Sequence, residues 1–344
     1  MITETQDTFR NQHEDNISAV QHGLRDMTLV DESPREVHKL TPLCTLKENI
    51  LLGSWNVRTL YATGKTAEVE REMDRYNIEI LALNEVRWLD SGKLTLQNGK
   101  VLLYSGRNDG LHQAVAGMML SSRAKKPLIE WKPITERLMY ARFHTSTIKI
   151  SIITVYAPTN DATDETKESF IEQLDRVIAE TPKHDILLVM GDFNAKVGMN
   201  NEGHENIMGR HGIGRRNENG ENLLDICQRN NLVITGTIFP HKDKHKVTWI
   251  SLHKKTENQI DHILVTRQHR TSILDTRAMR GADIGSDHEL LKCKLRIKLK
   301  KYKIVTDTSR RRFDTTKLQR PEIRKEYSIE LKNRFQLLDE LEDI

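Results

Sequence analysis

LLVMGDFNAKVG, residues 187–198, runs from an apolar stretch through a glycine to an acid at Asp192 and an amide at Asn194. The run starts at Ile186, and its branched aliphatic side chains suit a strand covered on both faces. A carboxylate at the end of such a strand is costly to bury unless it is paired. The stretch is either a plain strand end facing water or a pair of side chains held at a site.

The same arrangement recurs along the chain. Asn56 follows the apolar run in LLGSWNV, and Glu85 follows the one in IEILALNEVRW. Tyr156 closes ISIITVY, Asp261 interrupts NQIDHILV, and GSDHELL places Ser286, Asp287 and His288 ahead of a last run. Singly, each has a plain reading. Glu85 suits a solvated acid, Asn56 a turn and His288 a structural histidine. Asp261 is harder to set aside, because an acid between Ile260 and His262 needs a partner. Strand ends along one edge of a sheet, with their loops, are where sites are commonly built.

That set of acids, amides, a tyrosine and a histidine suits phosphodiester hydrolysis with a hard cation. Mg²⁺ prefers oxygen ligands and keeps several waters, so one or two carboxylates hold it. Glu85 is the leading ligand, with Asn56 and Asp287 beside it. The oxygens of Asp192 and Asn194 complete the metal-binding set, and Mn²⁺ is the substitute ion. Asp192 is the proton acceptor for an attacking water, and Asn194 directs that water. His288, charged through Asp261, donates to a phosphate oxygen. There is no GxSxG motif, so attack by water is favoured over a covalent route.

Around these motifs lie runs of strand length at Ile50–Trp55, Ile78–Leu83, Leu232–Thr235, Val247–Ile250, Ile260–Val265 and Leu290–Leu299. KVLLYSG, VAGMMLSS, LMYARFH and IKISIITVY read as an antiparallel group. Helices are expected over Thr66–Tyr76, after a cap at Asp164, and over Glu221–Arg229. Many strands with a few helices predict an α/β sandwich, two packed sheets with helices outside. Residues 1–45 are polar and unpatterned and read as disordered. The main domain is set at 46–299. The charged residues 300–344 read as a linker or appended helix, with Tyr327, Leu331, Phe335 and Leu338 on one face.

The chain has 344 residues, 37% hydrophobic and 30% charged, with a net charge of +4, a composition that is globular and only mildly basic. Its three cysteines form no metal-binding or paired spacing, which points to a reducing compartment. Apolar runs as short as Ile186–Met190 do not span a bilayer, and the N-terminus lacks the pattern of a signal peptide. Cytoplasm and nucleus both fit.

GSWNVRTL, ILALNEVRW, VYAPT, MGDFNA, QIDHILV and GSDHELL, in this order, resemble the endonuclease/exonuclease/phosphatase superfamily, the fold of DNase I and the apurinic endonucleases. The wording of NVRTL, ERLMYARFH and NENGENLLDICQRNNLVITGT is similar to the endonuclease domain of RTE-type LINE retrotransposons and to the craniofacial development protein 2 group. The resemblance implies a four-layer sandwich with its site at one edge. It assigns Asn56, Glu85 and Asp287 to the metal side and Tyr156 to a phosphate contact. Asp192 and Asn194 become the water-activating pair, and Asp261 and His288 an Asp–His pair. Arg58, Trp249, Asn258 and Arg215 are the candidates for contact with DNA, the implied partner, which alone favours the nucleus. No protein partner is implied. Arg58 stands where apurinic endonucleases often carry an acid. In a retrotransposon a reverse transcriptase would follow the linker.

Several features point elsewhere. ATGKT, residues 62–66, lacks the first glycine of a P-loop, since position 59 is Thr, and it suits a helix entry. The loop MNNEGHENIMGRHGIGRR lacks regular zinc spacing, and Arg210, Arg215 and Arg216 in it suit either a flexible loop or phosphate contacts. The leading expectation is a Mg²⁺-dependent DNA endonuclease that leaves a 3′-hydroxyl. The alternatives are a phosphatase of the same fold and a non-catalytic DNA- or protein-binding module.

Overall fold

The structure is a computed structural model that describes residues 41–106, 115–299 and 315–339, without the side chains of 333–339. The expected disorder of residues 1–40 lies outside the described residues. The chain divides into two units at Lys298/Leu299.

In the first unit the elements run β1 (Ile50–Asn56), α1 (Lys65–Arg75), β2 (Ile80–Asn84), β3 (Ser91–Thr95), β4 (Val101–Ser105), β5 (Ala116–Leu120), β6 (Leu128–Thr135), β7 (Leu138–Phe143) and β8 (Ile150–Tyr156). There follow α2 (Asp164–Glu180), β9 (Ile186–Asp192), α3 (Glu218–Arg229), β10 (Leu232–Ile234), β11 (Trp249–Ile250), β12 (Glu257–Asn258), β13 (Asp261–Thr266), β14 (Ile273–Met279) and β15 (Leu290–Leu295). One sheet has the order β14-β15-β1-β2-β5-β4-β3, and a second β10-β13-β9-β8-β7-β6. The runs expected as one antiparallel group divide between them, β4 and β5 in the first and β7 and β8 in the second.

Alternation along the strands builds four layers. Leu52 of β1, Leu188 and Met190 of β9, and Cys293 and Leu295 of β15 meet between the sheets. The opposite faces of the strands pack outward. Leu187 and Val189 join Phe170 and Leu174 of α2 and Leu223 and Leu224 of α3. Trp55 and Leu83 join Val69 and Met73 of α1. Strands buried on both faces read as unbroken apolar runs. This is the expected α/β sandwich of two sheets flanked by helices.

Local details correct two expectations and agree with a third. Thr163, not Asp164, caps α2, its hydroxyl accepting from the Thr166 N–H. Leu43 and Cys44 are buried between the sheets, and the Leu43 N–H donates to the carbonyl of His144. The domain therefore starts before residue 46. ATGKT is the entry to α1, with Gly64 in the left-handed region at φ 85°.

The second unit contains α4 (Pro321–Asp339), on which Tyr327 and Leu331 are exposed rather than packed.

Candidate functional site

Strand direction decides which ends meet. In the first sheet β1 and β2 are parallel, with Asn56 opposite Asn84. In the second, β8 and β9 are parallel, with Tyr156 opposite Asp192. Parallel neighbours deliver their C-terminal ends to the same edge. β13 runs antiparallel to β9 and β15 antiparallel to β1, so they deliver their N-terminal ends there. Asp261 thereby sits opposite Asp192, and His288 lies just ahead of β15.

Asp192 is the last residue of its strand and is buried, which answers the question raised by MGDFN. Gly191 before it lets β8 approach closely, since a Cβ there would lie 1.8 Å from the carbonyl oxygen of Val155. Every oxygen of the carboxylate has a partner. Oδ1 accepts from the Asn194 N–H at 2.9 Å, and Oδ2 accepts from Asn56 Nδ2 at 3.0 Å. His288 Nε2 stands 3.8 Å from the same Oδ2. Burial, and next the charge of Asp261, raise the Asp192 carboxyl to about 7.

His288 binds Asp261 through Nδ1 at 3.0 Å. Burial works against its charged form, but Asp261 outweighs it and lifts the imidazole to about 9. The imidazolium is the form suited to donate from Nε2. Trp55 Nε1 fixes the backbone by donating to the His288 carbonyl at 2.9 Å. Ser286 Oγ donates to the carbonyl of Asn56 at 2.7 Å, and the same hydroxyl accepts from the His288 N–H.

The Asn56 amide also donates to Glu85 Oε1 at 3.0 Å, so one side chain joins the two halves of the expected site. Tyr156 Oη donates to the same Oε1 at 3.1 Å. Arg87 donates to Oε2 at 2.6 Å. Glu85 is thus no solvated acid. Burial opposes its charge, but the Arg87 and Asn56 hydrogen bonds prevail and hold the carboxyl below its ordinary range. Burial and Glu85 push the Tyr156 phenol up, so it remains a donor.

Asp287 accepts from Trp249 Nε1 at 3.1 Å and pairs with Arg58 at 3.7 Å. Asn258 pairs with Trp249 along β11 and β12. These residues therefore flank the acidic cluster. The loop arginines separate by role. Arg216 is structural, donating to the carbonyls of Val197 and Asn200. Arg215 lines a surface pocket with Met199 and Gly214.

Two residues escaped the sequence reading. Asn84 Nδ2 donates to the Val155 carbonyl at 2.7 Å, and its Oδ1 accepts from the Asp192 N–H at 3.1 Å, which ties the two sheets at the site. Its signal was the amide inside LALNE, hidden beside Glu85. His262 is buried and donates Nε2 to the Ala195 carbonyl at 2.7 Å, supporting the chain after Asp192.

The donor chemistry fits a hard divalent cation. Asp192, Asp261 and His288 each offer a ligand atom within 4.8 Å of the others. Asp261 Oδ1 is buried without a hydrogen-bond partner. A charged His288 is a poor ligand, which leaves carboxylates and amide oxygens as the donors.

Residues 150–292 match the family described as endonuclease-reverse transcriptase. Craniofacial development protein 2 of Bos taurus is 36% identical over 264 residues, which are 77% of this chain and 43% of that protein. The protein of the same name from Tragulus javanicus is also 36% identical, over 77% of this chain and 45% of its own. The chain spans less than half the length of these curated relatives. Among solved structures, the endonuclease domain of TRAS1, a telomere-specific non-LTR retrotransposon, superposes with a TM-score of 0.52 at 18% identity, covering 72% of this chain and 99% of that one. The AP endonuclease LMAP of Leishmania major gives 0.55 at 14% identity, covering 73% and 88%.

Fold and motif order place the chain among proteins with the DNase I-like α/β sandwich. In sequence it is similar to craniofacial development protein 2, and residues 150–292 match the endonuclease-reverse transcriptase family.

Proposed function

We propose that this domain is a Mg²⁺-dependent DNA endonuclease that nicks one strand by direct attack of water and leaves a 3′-hydroxyl. The observation that carries the reading is the buried Asp192 carboxylate between Asn194, Asn56 and the Asp261–His288 pair. Asp192 takes the proton of the water. Asn194, in the left-handed region at φ 49° and tied to the Ala157 carbonyl, stands beside it to fix the water's direction. His288 donates a proton-bearing Nε2 to a phosphate oxygen, and Tyr156 is placed for a second contact. Glu85, Asn56 and Asp287 would hold a divalent cation, whose charge would supply neutralisation of the phosphate and of the leaving oxygen. Arg58, Trp249 and Asn258 flank the cluster on the side where a duplex would lie. DNA as substrate favours a nuclear location.

A second reading has one observation in its favour. A 3′ phosphatase from Neisseria bound to a product DNA hairpin shares the fold, with a TM-score of 0.53 at 18% identity. Release of a terminal phosphate would use the same groups.

Supercoiled plasmid tests both. Open circles formed with Mg²⁺, absent with EDTA and reduced at least about 10²-fold in Asp192→Ala are the expected result. No nicking by folded protein, with phosphate released from a 3′-phosphorylated oligonucleotide, would replace the endonuclease with the phosphatase.

A further inference from the structure

β15 and the residues after it read LLKCKLRIKLK, an alternation that faces every second side chain outward. Leu291, Cys293, Leu295 and Ile297 are buried, whereas Lys292, Lys294, Arg296 and Lys298 point the other way, half-buried at first and then exposed. The outward residues are all cations. Among the described residues, no carboxylate forms an ion pair with any of the four.

Neighbouring strands turn the row into a groove. Arg277 lies opposite Lys292 and Asp275 opposite Lys294 on β14. On the other side, β1 sets Gly53 opposite Lys292 and Leu51 opposite Lys294, so no side chain and then an apolar one border the row. Asn49, Leu51, Leu274, Asp275, Arg277, Lys292 and Lys294 line one pocket. Its single acid is already engaged, because Asp275 accepts from His241 at 2.6 Å and pairs with Arg277 at 3.3 Å. Neither lysine forms an ion pair with Asp275, although its charge still favours the Lys292 ammonium. Burial and then Arg277 hold the Lys292 ammonium below the ordinary lysine range, as expected where an anion is missing. The Tyr76 ring carries Lys292 at 5.5 Å and walls that end.

We infer that Lys292, Lys294, Arg296 and Lys298 form a track for the phosphates of a single nucleic-acid strand on the outer face of the first sheet, away from the catalytic cluster. Alternate residues of a strand are about 6.6 Å apart, close to the step between successive phosphates of an extended single strand. The row starts four positions after His288 and runs away from it. Cation-lined grooves with an aromatic wall bind single strands without reading their sequence. The choice of nucleic acid as occupant rests on the nuclease reading; the row of cations does not.

The test measures binding of labelled oligothymidylate by fluorescence anisotropy across a salt series, in EDTA, so that no cleavage enters the readout. Each cation removed from a single-strand contact lowers the slope of log K against log salt by about 0.7. The triple variant Lys292→Gln/Lys294→Gln/Arg296→Gln should lose about 2 in slope and bind at least about tenfold more weakly at low salt. A control with equal net charge, Lys125→Gln/Lys126→Gln/Lys183→Gln, should keep the wild-type slope. Equal losses in the two variants would overturn the track. So would polyglutamate competing as well as the oligonucleotide at matched charge, since that makes the row a general anion surface. If the triple variant melts early, Arg296→Gln/Lys298→Gln changes exposed side chains only and should still lose about 1.4 in slope. Because nicking is not read, absent nuclease activity leaves this result standing, and a normal slope in the variants defeats the track even in an active nuclease.

Discussion

Asn84, at the end of a strand in one sheet, accepts a hydrogen bond from the backbone N–H of Asp192 in the other, at 3.1 Å. Its amide nitrogen donates to Val155, also in the second sheet. One buried side chain thus links the two sheets at the site by two hydrogen bonds. Asn84→Ala leaves a buried N–H and a buried carbonyl without that partner, each costing about 1–3 kcal/mol. The variant should lose about 2–6 kcal/mol of stability by chemical denaturation. Because Asn84 acts through Asp192, kcat should fall with KM nearly unchanged. Wild-type stability would show that the contact does not hold the sheets.

The motifs that build the site were legible because the strands bearing them are covered on both faces. An unbroken apolar run that stops at a polar residue is conspicuous, as at Asn56, Tyr156 and Asp192. In the two large sheets the strands that escaped are Ser91–Thr95, Leu128–Thr135 and Ile273–Met279, each at an edge of its sheet. Ser91–Thr95 is nearly all exposed, and Leu128–Thr135 carries Pro133, which an edge strand accommodates. Edge strands need only part of one face apolar, so their pattern is weak. Assignment to a sheet was equally hidden, because alternation reports a face and not a neighbour. Arg87 went unremarked as a partner of Glu85, since residues two apart in a strand share a face only while the strand continues. Here both lie past its end in the left-handed region, at φ 57° and 61°.

His288 supplies the alkaline side of the pH dependence. Its folded value, raised to about 9 by Asp261 against the cost of burial, keeps it charged through neutral pH. Donation from Nε2 is lost only as pH rises through that value. If donation is required for turnover, the pH–rate profile should fall on the alkaline side near 9. Asp261→Asn removes the charge that raises the imidazole and leaves the burial that lowers it. The alkaline limb should then move down toward or below neutrality. An unmoved limb would assign the alkaline loss to another group.

Arg87 and Glu85 form a 2.6 Å pair in which the arginine is nearly half exposed, at 45%. Such a pair contributes about 0–1 kcal/mol, so a divalent ion competes with it at modest cost. Arg87→Ala should therefore tighten Mn²⁺ binding to the free protein by no more than about fivefold, read by calorimetry without DNA. Glu85→Ala should weaken the same titration strongly. If Arg87→Ala weakens the ion instead, the arginine orients the carboxylate rather than competing for it.

Leu43 and Cys44 decide where the domain starts. Both are about 1% exposed and packed between the sheets, and Leu43 extends the backbone pairing to His144. A chain beginning at Thr41 keeps these contacts, whereas one beginning at Leu46 removes them. Losing a buried leucine costs about 2–5 kcal/mol, and the cavity left by Cys44 adds to it. The shorter chain should melt well below the longer one in a thermal denaturation scan. Its nicking, assayed below its melting temperature, should change little, because neither residue touches the cluster around Asp192. Equal melting temperatures would return the boundary to residue 46.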